Sequence, residues 1–307
     1  MIIGGSGMML FGGGGSYNGP KEIKYLFVDG GYFRKIVEDF SKHFYDGKDL
    51  MQFINFEQLK RGHHPQYTKV FYYDCPVPQK NGESSSEHAH RLAEQKDLFN
   101  SIRFLDGFHL FEGTTTGKPG KSRQKQVDVK IAVDMLSHTY NGNMHQCTLI
   151  AGDLDFKPVV DALVMAGMYT TLWYKEGSTS EELIYASDAK VAFDYHTIFR
   201  LLEEEIQQTI ILPQFVINDS LKQLNENSLI EKAVNSLGEE IQIHHVNEIH
   251  YVVEPYLERN KSRYKIYNCK NMDMLLRYYE AVNGKVGWPK KIRENRYQKI
   301  PYSSAAC

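Results

Sequence analysis

The chain has 307 residues, 42% hydrophobic and 24% charged, with a net charge of −2. That balance fits an ordinary globular protein and excludes fibrous and largely disordered chains, and the length suits one α/β domain plus a smaller appendage. No apolar run reaches the ~20 residues of a membrane span, so no membrane partner is expected. The cysteines Cys75, Cys147, Cys269 and Cys307 are scattered, with no CxxC pairing. They argue against a structural zinc site or a disulfide framework and fit a reducing, cytoplasmic setting.

Charge is uneven along the chain. From Arg259 to Lys299 there are twelve Lys/Arg and three acids, a net of +9, which leaves −11 on residues 1–258. An acidic body with a basic tail separates a cation-binding site from a surface suited to a polyanion.

Residues 1–22 are Gly-rich, lack a basic flank and read as a flexible leader rather than a signal peptide. Tyr25-Leu26-Phe27-Val28 predicts a buried strand stopped by Asp29-Gly30-Gly31, and Phe33, Ile36, Val37 and Phe40 then follow helical spacing. Val70–Tyr73 predicts a second strand, ended by Asp74 and a Pro76-Val77-Pro78 turn. A helix is expected over Glu87–Ile102 and a third strand over Phe108–Phe111. Gly113–Lys125 reads as a surface loop. Val127, Ile131, Met135 and Leu136 mark another helix, Thr148–Ala151 a fourth strand, Val159–Met165 a helix closed by Gly167, and Tyr169–Trp173 a fifth strand. This alternation predicts a three-layer α/β/α sandwich with a mainly parallel five-stranded sheet over residues 23–200.

Beyond residue 200 the pattern changes. A long helix is expected over Leu201–Ile211, further helices over Asn225–Leu237 and Met272–Val282, and strand over Gln242–Val253. Residues 201–307 are expected to form a smaller, mixed or mainly helical basic domain.

Ligands of an open parallel sheet bind beyond the carboxyl ends of its strands. Asp29 follows the first strand, Asp153 and Asp155 the fourth, and Asp128 opens the helix before the fourth. Acids gathered without basic partners repel one another unless a cation sits among them, and an oxygen-only set suits Mg²⁺ or Mn²⁺. A metal so held can activate water and bind a phosphate oxygen.

Three segments share a family resemblance. Phe27-Val28-Asp29-Gly30-Gly31-Tyr32-Phe33 resembles the opening motif of NYN domains, the PIN-like nuclease group that includes the LabA-like proteins. Lys125–Leu136, around Asp128, resembles their second motif, and Ile150–Val160, with Asp153-Leu154-Asp155-Phe156, their third. Ser180, Leu183 and Asp188 fit a weaker closing pattern. The resemblance covers roughly Lys24–Arg200 and implies a PIN-like fold and metal-dependent cleavage of RNA. It implies that Asp29, Asp128, Asp153 and Asp155 form the catalytic centre, the first three as metal ligands. Many NYN domains carry Asn three residues after the first Asp, where this chain has Tyr32.

Each site has a plainer alternative. Asp153 and Asp155 could cap the helix that follows them, and Asp128 has the same ambiguity. Asp134 lies about 240° round the helix from Asp128, so it is either a supporting group or a solvated acid. Lys157 lies where it could contact a phosphate, or simply be solvated, as do Lys125 and Lys130. The histidines (His63-His64, His88, His90, His244-His245, His250) lack the companions of a zinc motif and read as surface residues. Gly30-Gly31 reads as a tight turn beside the site. The tail interleaves Arg263, Lys265, Lys290, Lys291 and Arg293 with Tyr264, Tyr267, Tyr278, Tyr279 and Trp288. This pattern suits single-stranded nucleic acid, or tyrosines packed under a cationic face.

The sequence therefore predicts a metal-dependent endoribonuclease acting on single-stranded or structured RNA, with Lys125 and the tail cations and Trp288 on the RNA. An RNA-binding or scaffolding protein with a weak or inactive site is the rival from another class, and DNA or tRNA are rival substrates. Homo-oligomerisation is left open.

Overall fold

A computed structural model describes residues 22–61, 66–116, 123–221, 224–258 and 261–295. The expected leader, apart from Glu22, and the His63-His64 pair lie outside the described residues. The first unit runs β1 (Lys24–Asp29), α1 (Gly30–Phe44), α2 (Phe56–Arg61), β2 (Lys69–Asp74), α3 (Ser85–Arg103), β3 (Phe108–Glu112), β4 (Thr114–Thr116), β5 (Arg123–Lys125) and α4 (Val127–Tyr140). It continues through β6 (Gln146–Ile150), α5 (Lys157–Met165), β7 (Tyr169–Tyr174), α6 (Glu181–Ala186), β8 (Ala189–Ala192), α7 (Tyr195–Leu201) and α8 (Glu204–Gln207).

The main sheet has the order β3-β2-β1-β6-β7-β8, with every neighbouring pair parallel. Alternate residues of a strand face opposite sides. Leu26 and Val28 pack with Phe33, Ile36, Phe40, Phe99 and Ile198 on the α1, α3 and α7 side. Tyr25 and Phe27 pack with Ile131, Met135, Val160, Leu163 and Leu183 on the α4, α5 and α6 side. The three-layer α/β/α sandwich thus stands, but the sheet has six strands rather than five. The sixth, β8, is a four-residue edge strand with alternating half-buried and exposed residues, too short to show an apolar run. Part of the expected Gly113–Lys125 loop is the antiparallel β4–β5 ribbon.

The long helix expected over Leu201–Ile211 is broken at Leu202, whose backbone is extended. The segment after α1 captures that backbone: Ile54 bridges to Leu202, the Asn55 amide donates to the Leu201 carbonyl at 2.7 Å, and the Glu203 amide donates to the Phe53 carbonyl at 2.9 Å.

The second unit contains β9 (Gln214–Asn218), β10 (Leu229–Val234), β11 (Glu240–Val246), β12 (Ile249–Glu258), β13 (Lys261–Cys269), α9 (Met272–Asn283) and α10 (Lys290–Asn295). Its antiparallel sheet has the order β10-β11-β12-β13-β9, so the unit is built on a sheet and is not mainly helical. The helix expected over Asn225–Leu237 is strand β10. The strand expected over Gln242–Val253 is a hairpin, turned at Asn247 and Glu248 with φ of 49° and 65°, the left-handed pair a tight hairpin turn requires. The helix expected at Met272 is α9, packed on β12 and β13.

This packing settles the role of the tail aromatics. Tyr267, Tyr278, Tyr279 and Trp288 are buried. Glu254, also buried, accepts hydrogen bonds from the Tyr267 and Tyr279 hydroxyls and pairs with Lys265 at 3.1 Å. The Trp288 indole donates to Glu280 at 2.7 Å. Trp288 is only 2% exposed, so its ring is core and is not available to stack on a base. Tyr278 also meets Phe44 and Tyr195 of the first unit, with ring centroids 6.0 and 6.1 Å apart, so one apolar core runs through both units.

Candidate active site at the carboxyl edge of the main sheet

Asp29 is the last residue of β1 and the N-cap of α1, its carboxylate accepting the Tyr32 amide at 3.1 Å. Asp153 lies three residues past β6 and caps a short 3₁₀ turn over Leu154–Phe156, accepting the Asp155 amide at 3.0 Å. Asp128 lies in the first turn of α4, after Gln126 in the left-handed conformation (φ 76°). The capping role raised against Asp153 is therefore real, and it leaves the second carboxylate oxygen uncommitted by that bond.

The electrostatics tie these acids together. Burial raises the Asp29 carboxyl to about 6; the Tyr32 amide opposes the rise, and the charges of Asp128 and Asp74 add to it. Asp128 is raised by burial, then by Asp153 and Asp155. Asp29 thus feels the charge of Asp128, and Asp128 that of Asp153 and Asp155, at one edge of the sheet, as like charges do when gathered together.

The chemistry of this set fits a hard divalent cation, since every donor is a carboxylate oxygen and the charges repel. Among the described residues, however, no three His, Cys, Asp or Glu side chains converge as a ready-made metal cage. Asp29 is half-buried, whereas Asp128, Asp153 and Asp155 are exposed.

Asp74 is a fifth acid at this edge, one that sequence reasoning treated only as a strand stop. It closes β2 beside Asp29, is buried, and pairs with Arg34 one turn into α1. Its carboxylate also accepts the Cys75 amide at 2.7 Å. The available signal was an Asp ending a strand, as Asp29 does. Gly30 makes the approach possible: a Cβ there would lie 2.8 Å from the Asp74 Cβ, the Tyr72 ring and the Tyr73 carbonyl. Close strand-to-helix contact, more than turn geometry, is what requires this glycine.

Tyr32 is a structural tie. Its hydroxyl accepts the Lys175 amide at 2.8 Å and lies 2.6 Å from the Thr179 hydroxyl, fastening the start of α1 to the loop after β7. Its ring lies against Gly152, immediately before Asp153. The aromatic residue that replaces the common Asn thus helps to shape the acid edge.

The remaining expected residues are dispersed. Asp134 accepts the Tyr73 hydroxyl at 2.9 Å and pairs with Lys130 at 2.6 Å, apart from the acid group. Lys157 pairs with Asp161 at 2.6 Å. Lys125 ends β5, three residues before Asp128. Arg263 bonds Asp219 at 2.5 Å and Glu258 at 2.7 Å, and Lys265 lies 4.9 Å over the Tyr256 ring besides pairing with Glu254. These two tail cations are neutralised by acids of their own sheet and of the turn after β9; Lys290, Lys291 and Arg293 fall on α10. Among the histidines, His244 is buried rather than on the surface, and His245 and His250 stack at 4.5 Å.

An open parallel sheet with carboxylates gathered at the carboxyl ends of its strands defines an α/β domain with an acidic edge. Residues 25–194 match the NYN domain family. The chain belongs to that family, which lies within the PIN-like nuclease superfamily; NYN domains are generally nucleases, and divalent metals are their usual cofactors. No curated protein matches the chain. A solved structure of a protein of unknown function from Vibrio parahaemolyticus is similar at 17% identity, with a TM-score of 0.36, over 56% of this chain and 93% of that one. No helix among the described residues is long and apolar enough to cross a membrane.

Proposed function

We propose that this chain is a metal-dependent endoribonuclease whose centre is Asp29, Asp128 and Asp153, completed by Asp155. The observation that carries this reading is the shared carboxylate edge at the end of β1, the start of α4 and the turn after β6, where burial and then Asp128 raise Asp29, and burial and then Asp153 and Asp155 raise Asp128. Asp29, Asp128 and Asp153 would hold Mg²⁺ or Mn²⁺. The ion would supply an activated water and offset charge on the phosphate. Asp155 would orient the water, Arg34–Asp74 fixes the end of β2 against α1, and Tyr32 keeps the β7–α6 loop in place. Of the basic tail, α10 with Lys290 and Lys291 is the segment we assign to RNA contact.

The test uses the full chain with labelled single-stranded RNA, DNA and tRNA in Mn²⁺, Mg²⁺ or EDTA. RNA cutting that requires the metal and is lost in Asp153→Asn is the expected result. Cutting that survives in Asp153→Asn would remove the site assignment, and cutting confined to DNA or tRNA would change the substrate. A second reading, an RNA-binding protein with a silent site, is favoured by one observation: Tyr32, where many NYN domains carry Asn, is committed to the Lys175 amide and Thr179. Tight RNA binding with no cutting in either metal would establish it.

A further inference from the structure

On the α4 side of the main sheet, α4 lies over β1 and β2, while α3 packs against β3, on the α1 side of the sheet. Three rings line up across these strands in direct ladder register: Phe27 on β1, Phe71 on β2 and His109 on β3. Phe27 and Phe71 stack at 5.1 Å and 9°, Phe71 and His109 at 4.9 Å and 22°. His138 of α4 flanks the row, 4.9 Å from Phe71. One step along β3 toward the acid edge is Phe111, with the Lys130 ammonium 5.8 Å from its ring. At the other end the Lys69 ammonium lies 5.7 Å over Tyr25.

Exposure along this row is graded. Phe27 is buried, Phe71 and Phe111 are half-buried, and His109 is exposed. The row ends at the edge strand in an open ring. Burial, then Lys69, holds the His109 imidazole below its ordinary pKa, which favours a neutral ring at neutral pH. From His109 the aromatic surface turns along β3 to Phe111, in the direction in which β1 and β2 end at Asp29 and Asp74.

We propose that this lane holds a single-stranded RNA segment beside the acid centre, with bases stacked on His109 and Phe111 and phosphates near Lys69 and Lys130. Aromatic faces spaced among cations are how proteins hold single strands without reading sequence. Lys130 shares its charge with Asp134, which leaves Lys69 as the stronger phosphate contact. The choice of RNA as occupant rests on the ribonuclease reading above, while the stacking lane itself is tested by binding alone.

The experiment is fluorescence anisotropy of a labelled 12-nucleotide oligo(U) on the full chain in EDTA. His109→Ala should weaken binding about tenfold, the order expected for loss of one stacked base. His109→Tyr, which keeps a stacking ring, should restore it, and the loss in His109→Ala should be seen at temperatures well below that variant's unfolding midpoint. Lys69→Gln should reduce the slope of log Kd against log salt by about 1. An unchanged Kd in His109→Ala, no binding by wild type, or duplex RNA bound as tightly as the single strand would each overturn the lane. Cleavage in Mn²⁺ is scored separately. A chain that binds through His109 and cuts nothing retains the lane and loses the nuclease reading. Cutting with no dependence of binding on His109 does the reverse.

Discussion

An alanine at position 152 would have no room for its methyl group. Its Cβ would lie 2.3 Å from Tyr32 Cε2, 2.9 Å from Tyr32 Cδ2 and 2.8 Å from the Ser178 carbonyl oxygen. The ring cannot move aside freely, because the Tyr32 hydroxyl is bonded to the Lys175 amide and to Thr179. Overpacking of this kind costs about 1–3 kcal/mol, and each of two sacrificed hydrogen bonds adds about 1 kcal/mol. Gly152→Ala should therefore destabilise the chain by about 3–5 kcal/mol, read as a lower urea midpoint at unchanged m-value. In a Tyr32→Ala background only the contact with Ser178 remains, and the same substitution should cost about 1 kcal/mol. The cycle should thus show a coupling of at least about 2 kcal/mol. A cost below about 1 kcal/mol in the wild-type background, or one that is the same with and without the Tyr32 ring, would refute the reasoning.

Four further outcomes are expected. Burial holds the Asp29 carboxyl at about 6, so the folded chain keeps this proton when the unfolded chain has lost it. Stability therefore falls as pH rises from about 4 to about 6, by about 2 kcal/mol after allowance for partial exposure. Asp29→Asn should raise the urea midpoint at pH 7.5 and leave it unchanged near pH 4; an equal effect at both would contradict this. Arg34→Leu strands the buried Asp74 charge and should cost about 3–5 kcal/mol, with much of that recovered in Arg34→Leu/Asp74→Leu, as chemical denaturation will measure. Trp288→Ala should cost about 3–5 kcal/mol while leaving the RNA affinity of the folded chain unaltered; a selective loss of affinity would return Trp288 to the RNA surface. Lys290→Gln/Lys291→Gln should weaken RNA binding at low salt and flatten its salt dependence, and an identical slope would remove α10 from the interface.

The acid edge was legible because parallel strands leave their final residues at one side: Asp29 and Asp153 each sit where an apolar run gives way to a helix, and Asp128 opens the helix that precedes the fourth strand of the expected sheet. Asp74 occupies an equivalent place, but its partner Arg34 is forty positions away, and only the parallel pairing of β1 with β2 brings them together. Helical spacing misled at Leu229–Val234, where Leu229, Ile230, Ala233 and Val234 fall at i, i+1, i+4 and i+5. Pairing with β11 overrides that local preference, as tertiary context commonly does. The basic tail misled in another way. Counting cations reveals neither Glu254, Glu258 and Asp219 across and beside the same sheet, nor that Trp288 faces inward.

Tyr278 gives the chain an indivisibility that its two sheets do not suggest. The ring extends from α9 to Phe44 near the end of α1 and to Tyr195 at the start of α7. Severing the chain near residue 200 would therefore split one interior and present Phe44 and Tyr195 to water. The two units should melt in a single cooperative transition rather than as beads on a string. α1 begins at the Asp29 cap and ends against α9, so a single helix joins the interior shared with the second unit to the carboxylate edge.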